Sequence, residues 1–349
     1  MDDRWYKSTS TVLLTGAGFT KTFGGYLARE MWSAIFNQPQ LGDYPNLKKC
    51  ARWELDFETL YDKVMNSSDY TPQEKNCLTE CIGRSYALMH ENITKQPPEY
   101  LATSANVCHP FISYFAGLKS KNEGTFLFTL NQDLFIERFY SNSDTNKSVG
   151  IPGLEGKGPN WFNGNLKTKL EPEDFVRLPD RAGVEKLESE FWSKRGYHPI
   201  TYIKLHGSFG WKFHDGRPGL VIGHAKTETL KKEPLLWWQM KLFREVLRDE
   251  ARQLVVIGYG FNDQHINDVI ADAIRDKKLK LHMISPKSPD DFEQELFPVH
   301  GDQMPKPRGQ EFWDALAGYH EGEIHEFYES ETQALSPKGK ALMTALGLM

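Results

Sequence analysis

Short apolar runs that stop abruptly at glycine or polar residues recur along this chain, separated by longer stretches with helical spacing. Val12-Leu13-Leu14 runs into Gly16-Ala17-Gly18, and GTFLFTL (Gly124 to Leu130) into Asn131-Gln132-Asp133. ITYIKL (Ile200 to Leu205) ends at His206-Gly207-Ser208, Leu254 to Ile257 at Gly258-Tyr259-Gly260, and KLHMI (Lys280 to Ile284) at Ser285-Pro286. These runs alternate too little for strands with one wet face, which predicts parallel strands covered on both sides. Between them, Tyr26 to Phe36 places Leu27, Met31 and Ile35 at helical spacing, and Leu235 to Leu247 and FNDQHINDVIADAI read as further helices. Strands alternating with helices predict an α/β fold: a Rossmann-like, doubly wound, mostly parallel sheet.

The domain pattern is a single unit over residues 1–349 with two additions. From Asp56 to about Lys119 the chain is helical and charged, broken by Pro72 and by Pro97-Pro98. That predicts a helical insertion at about residues 40–120, placed to roof a cleft or offer a partner surface. Residues 286–349 form a C-terminal extension packed on the core, with a helix near Gln310 to Ala317, a strand in IHEFYES and a final short helix. Residues 141–199 read as an irregular excursion over the active face, with a helix around Ala182 to Lys194. Leu220 to Ile222 reads as a short strand, and Trp237 and Trp238 as packing residues on a helix.

Composition narrows the classes. The hydrophobic content of 39%, charged content of 26% and formal charge of -5 fit an ordinary soluble protein and give no electrostatic reason to expect nucleic acid or a membrane surface. The polar start MDDRWYKSTS lacks a secretory leader, and no apolar run approaches the length of about twenty residues that spans a bilayer. The expected location is the cytoplasm. Cys50, Cys77, Cys81 and Cys108 contain no C-x-x-C pair, so neither a disulfide framework nor a structural zinc site is expected. Asp263 and His265 alone are too few to hold a metal, and the expected metal content is none.

The candidate chemistry lies at the ends of the apolar runs. In open α/β sheets ligands sit outside the carboxyl ends of the strands, which gathers GAG, NQD, HGS and GYG into one place. Gly16 and Gly18 permit a tight turn and close approach of backbone to a ligand. Their amides, with those opening the helix after Thr20, would face an anion such as a pyrophosphate. The third glycine of the dinucleotide fingerprint is missing: Lys21 stands in its place, and the next glycines are Gly24 and Gly25.

Taken in order from about Val12 to Ser285, these segments resemble the sirtuin-like family, and specifically its prokaryotic antiphage-defence branch, which hydrolyses NAD. TGAGFT resembles the family's GAG-x-S opening, TLNQD its TQNID segment, KLHGSF its HGS segment, and IGYGFNDQHIN the defence branch's IGYSF-x-D-x-HIN. The resemblance implies an NAD glycohydrolase that releases nicotinamide and ADP-ribose, with NAD as substrate and no metal. It casts His206 as a base acting on a ribose hydroxyl or water, and Asn131 as the residue orienting water or the ribose. Asp133 would hold the nicotinamide carboxamide. Gly16, Ala17, Gly18 and Phe19 would line the pyrophosphate and ribose, with Ser208 beside the nucleotide. Gly258, Tyr259 and Gly260 would lie on the adenosine side, and Ser285 near the adenine or its ribose. Each has a plainer alternative: a turn-supporting asparagine, a helix-capping aspartate, a hydrogen-bonded core histidine, a strand-ending serine.

Departures from the family matter as much. Deacetylating members follow GAG with a GIPDFR loop and carry two C-x-x-C zinc pairs; here the corresponding stretch is GGYLARE and the pairs are missing. That favours water over a peptide lysine as acceptor of the sugar. An NAD-dependent protein deacylase and a non-catalytic nucleotide-sensing subunit are the competing readings. The resemblance further implies a homo-oligomer and a hexameric HerA-type ATPase partner subunit.

Overall fold

The computed structural model describes residues 11–95, 125–140, 149–154, 169–194, 200–250, 253–297, 306–329 and 334–349. Its centre is a seven-stranded sheet built from β1 (Thr11–Thr15), β2 (Thr125–Thr129), β3 (Val149–Gly150), β5 (Ile200–Lys204), β8 (Gln253–Ile257), β9 (Lys280–Ser285) and β10 (Leu316–Glu321), in the order β10-β9-β8-β1-β2-β5-β3. All six pairings are parallel. Every residue of β1, β2 and β5 is buried, the physical reason their sequences lack alternation. A second sheet of three strands joins β4 (Val176–Arg177), β6 (Gly207–Lys212) and β7 (Pro218–Leu220).

Strand order creates the crevice. The chain leaves β1 toward β2, β5 and β3, then returns to place β8, β9 and β10 on the other side of β1. The order therefore reverses between β1 and β8, and the crevice that α/β sheets use for ligands opens at their carboxyl ends. GAG and GYG are the two segments flanking that point.

The helices Pro45–Trp53, Phe57–Asn66 and Pro72–Thr94 occupy the insertion between β1 and β2. Pro72 opens the longest of them instead of breaking one: it sits in the first turn, where its missing N–H costs nothing, behind a Thr71–Glu74 capping box. Residues 96–120 of the expected insertion lie outside the described residues. Among the described residues no helix is long and apolar enough to cross a membrane.

Several expectations need correction. The helix after β1 begins at Ala17, not after Thr20, so Gly18 lies inside it. Gly207–Lys212, expected only as the polar end of a strand, is itself β6, and the short strand beside it is Pro218–Leu220, not Leu220 to Ile222. Among the described residues IHEFYES holds only a single antiparallel bridge, Tyr328 to Leu335, and no strand: Ile324–Phe327 is a 3-10 turn that buries Ile324 and Phe327, spaced three apart, on one side. The strand of the tail is β10, whose partly exposed LAGYHE sequence carries little apolar signal, and it extends the main sheet beside β9. The irregular region does hold the expected helix, as Arg181–Lys194, along with β3 and β4. Trp238 packs edge-on against Phe191 at 5.2 Å, while Trp237 is only partly buried.

Candidate active site at the carboxyl edge of the sheet

The two glycine turns are built around each other. A Cβ on Gly16 would stand 2.6 Å from the Gly258 carbonyl oxygen, and one on Gly258 would stand 2.3 Å from the Phe19 nitrogen. Gly258 also has φ +64°, a region costly for other residues. Gly16 N–H donates to Ile257 O at 2.9 Å and Gly18 N–H to Gly258 O at 3.0 Å. These amides are thus committed to the facing turn and do not point at an anion. Gly16, Gly18 and Gly258 are needed for the close approach of turn to turn.

The NQD segment after β2 is tied down on three sides. Asn131 Nδ2 donates to Gly16 O at 2.8 Å and to Thr20 Oγ1 at 3.3 Å, while its Oδ1 makes no hydrogen bond among the described residues. Gln132 accepts from the Tyr86 hydroxyl at 2.9 Å and donates to Val221 O at 2.7 Å, linking the helical insertion to the second sheet. Asp133 Oδ1 accepts from Phe135 N at 2.9 Å, the capping role weighed against substrate binding. Beneath the loop, Lys204 is fully buried, donates to Asp133 O and pairs with Glu137 at 2.7 Å.

His206 sits where the chain crosses from β5 in the main sheet to β6 in the small one. The crossing requires Gly207, which has φ +75° and whose Cβ would lie 2.1 Å from Gly219 O. His206 Nε2 meets His265 Nε2 at 2.9 Å. Burial, followed by the nearby Lys226 ammonium, pushes the His206 imidazole well below its ordinary pKa, so it is neutral at physiological pH with a lone pair to offer. Burial likewise lowers His265 to about 4.

Lys226 is the central charge. It bridges Asp263 at 2.6 Å and Glu58 of the helical insertion at 2.9 Å. Burial would lower its pKa, but Asp263 and Glu58 outweigh that and hold the ammonium above its usual range. Asp263 and His265 are presented by a clamped loop: the Tyr259 hydroxyl donates to Asn267 Oδ1 at 2.8 Å and accepts from Asp263 N at 3.1 Å. Asn267 Nδ2 holds Phe261 O at 2.9 Å, which fixes Phe261 at φ +52°.

A recess of 210 Å³ brings Asn131, Asp133 and His206 together with Gly16, Ala17, Gly258, Tyr259 and Gly260. The insertion closes it with Phe57, Glu58, Tyr86 and Met89. An outer recess of 920 Å³ adjoins it, sharing Glu58, Lys226 and Asp263 and including His265. Four expected residues do not line either recess. Gly18 is packed on Gly258, and Phe19 is in the core beside Phe23 and Phe135. Ser208 is wholly buried in β6, and Ser285, at the end of β9, accepts from Lys287 N.

Sequence reading passed over Glu58, Tyr86 and Lys226, for which no local pattern exists, since each is a single polar residue on a helix that the fold swings over the crevice. Asp263 and His265 were in view, but their third neighbour His206 lies 57 and 59 residues upstream and joins them only in space. Residues 125–300 match the SIR2-like domain family. No curated protein sequence matches the chain.

Proposed function

Because this chain belongs to the SIR2-like domain family, whose members use NAD, we propose that it is an NAD hydrolase releasing nicotinamide and ADP-ribose. The observation that carries the reading is that Asn131, a neutral His206 and both glycine turns share one recess at the strand-order reversal. A dinucleotide would be held by the residues of the two recesses.

The chemistry asks little of an acid. As the C1′–N bond breaks, its electron pair returns to the pyridinium ring, so nicotinamide leaves neutral while positive charge builds at C1′ of the ribose. Water then adds its oxygen to C1′ and gives up a proton. The site must therefore position water and sugar and accept that proton. Neutral His206 can take it, and Asn131 Oδ1, left unengaged, can accept a hydrogen bond from water or a ribose hydroxyl.

Water is the acceptor in this reading because the C-x-x-C zinc pairs of peptide-modifying relatives are missing from the sequence. Its biological setting is antiphage defence by NAD depletion, with control through self-assembly or an ATPase subunit. Incubating purified protein with NAD, alone and with a co-expressed neighbouring ATPase, should yield nicotinamide and ADP-ribose, and His206→Ala should abolish both products. NAD that stays intact while bound would refute the proposal. Loss of NAD only with an acylated peptide, giving O-acyl-ADP-ribose, would assign a deacylase instead.

A further inference from the structure

His206, Asp263 and His265 reach one small volume from two places in the chain: His206 from the end of β5, the other two from the start of the helix Gln264–Lys277. One ligating atom of each lies within 4.8 Å of the other two, and the histidine Nε2 atoms face each other at 2.9 Å. Two nitrogens bound to one tetrahedral ion at about 2.0–2.1 Å each stand roughly 3.3 Å apart, so the pair need open by only a few tenths of an ångström.

Asp263 is free to join them. It is the N-cap residue of its helix, yet its carboxylate makes no capping hydrogen bond. Its Oδ1 takes Lys226, and Oδ2 makes no hydrogen bond among the described residues. Lys226 has a second carboxylate, Glu58 at 2.9 Å, to compensate its charge when Asp263 turns to a cation. The cluster stands on the divide between the recesses, with His265 on the lining of the outer one, so an ion has a way in.

We propose that His206, Asp263 and His265 form a site for a divalent transition-metal ion of the zinc class, and that the bound ion occupies His206 and so arrests hydrolysis. Two imidazoles, one carboxylate and a fourth position open to water make a donor set such ions accept. The arrest rests on the NAD-hydrolase reading; the site does not.

The test uses the full chain, stripped with chelator and titrated with Co²⁺, whose visible absorption reports coordination, and with Zn²⁺ by calorimetry. Wild type should bind one equivalent. His265→Ala and Asp263→Asn should each weaken binding at least ~100-fold, since loss of even an outer-shell partner costs about 10–100-fold. His325→Ala, an exposed histidine elsewhere, should bind as wild type does. Thermal melts check folding, and His265→Gln replaces His265→Ala if the latter fails to fold. Absence of saturable binding, or equal binding by wild type and His265→Ala, overturns the site. In parallel, NAD hydrolysis should fall in proportion to occupancy; full turnover by the loaded protein overturns the arrest. A protein with no NAD turnover under any condition defeats the hydrolase reading, and with it the arrest, while the metal titration still decides the site.

Discussion

The side-chain amide of Asn131 donates to the backbone carbonyl of Gly16 at 2.8 Å, so the residue we propose to orient water or ribose also ties the end of β2 to the end of β1. Asn131→Ala should therefore cost twice. Catalysis should fall by at least ~100-fold in kcat, of the order seen when a single preorganised polar group is removed from a reaction site. Stability should fall by about 0.5–1.5 kcal/mol, because Gly16 O loses one buried partner and keeps the Phe19 N–H at 2.9 Å. Steady-state NAD turnover and denaturant melts on the same preparation separate the two effects.

Two glycines should respond in opposite directions to alanine. Gly258→Ala puts a Cβ against the Phe19 nitrogen at a positive φ, and a loss of at least ~2 kcal/mol is expected from overpacking and backbone strain together. Gly83 lies inside the helix Pro72–Thr94 with open space where its Cβ would point. Gly83→Ala should stabilise by about 0.5–1 kcal/mol through helix propensity alone. Melting temperatures of the two variants check both signs.

The buried Lys204–Glu137 pair supports the NQD loop from below. Lys204→Met leaves Glu137 buried without its cation and should cost about 3–5 kcal/mol. Adding Glu137→Gln removes the stranded charge and should recover part of that loss, measurable as a coupling in a double-mutant cycle. A fully additive pair of losses would show that the two charges do not depend on each other.

His282 of β9 should make the fold acid-sensitive. Its ring packs against Gly318 and stacks on His320 at 6.0 Å, and neither of its nitrogens has a hydrogen-bond partner among the described residues. Burial, then His320 and Lys280, lower its pKa from 6.5 to about 4. The unfolded chain thus takes up a proton that the folded chain refuses, so this contribution to stability is complete above pH 6.5 and is lost as pH falls toward 4. His282→Leu should flatten the decline of melting temperature across that window. Parallel declines in the two proteins would assign the acid sensitivity elsewhere.

Much of the fold was legible because buried parallel strands write themselves as unbroken apolar runs: β1, β2, β5, β8 and β9 all lie where such runs end in polar or glycine residues. Edge elements were not. β3 has only two residues, and β10 carries a glycine and a histidine, because a strand bonded on one side needs less burial and leaves a weaker pattern. The same limit applied to the site. Asn131, His206 and the glycine turns stand at strand ends and were named from sequence, whereas Glu58, Tyr86 and Lys226 come from helices whose sequences record only their own periodicity.

Sequence by itself determined the central strands, several of the helices between them and the polar residues those strands release at their carboxyl ends, since these depend on local burial and turn chemistry. Tertiary structure alone decided what those residues do to one another. It set the Gly16 and Gly18 amides against the facing strand end and turn, bound one oxygen of Asp133 to the Phe135 amide while leaving the residue on the recess wall, withdrew Gly18, Phe19, Ser208 and Ser285 from the recesses and set His206 against His265. The reason is physical: hydrogen bonds and packing contacts are made between residues distant in the chain, and their partners are fixed only when the sheet orders its strands.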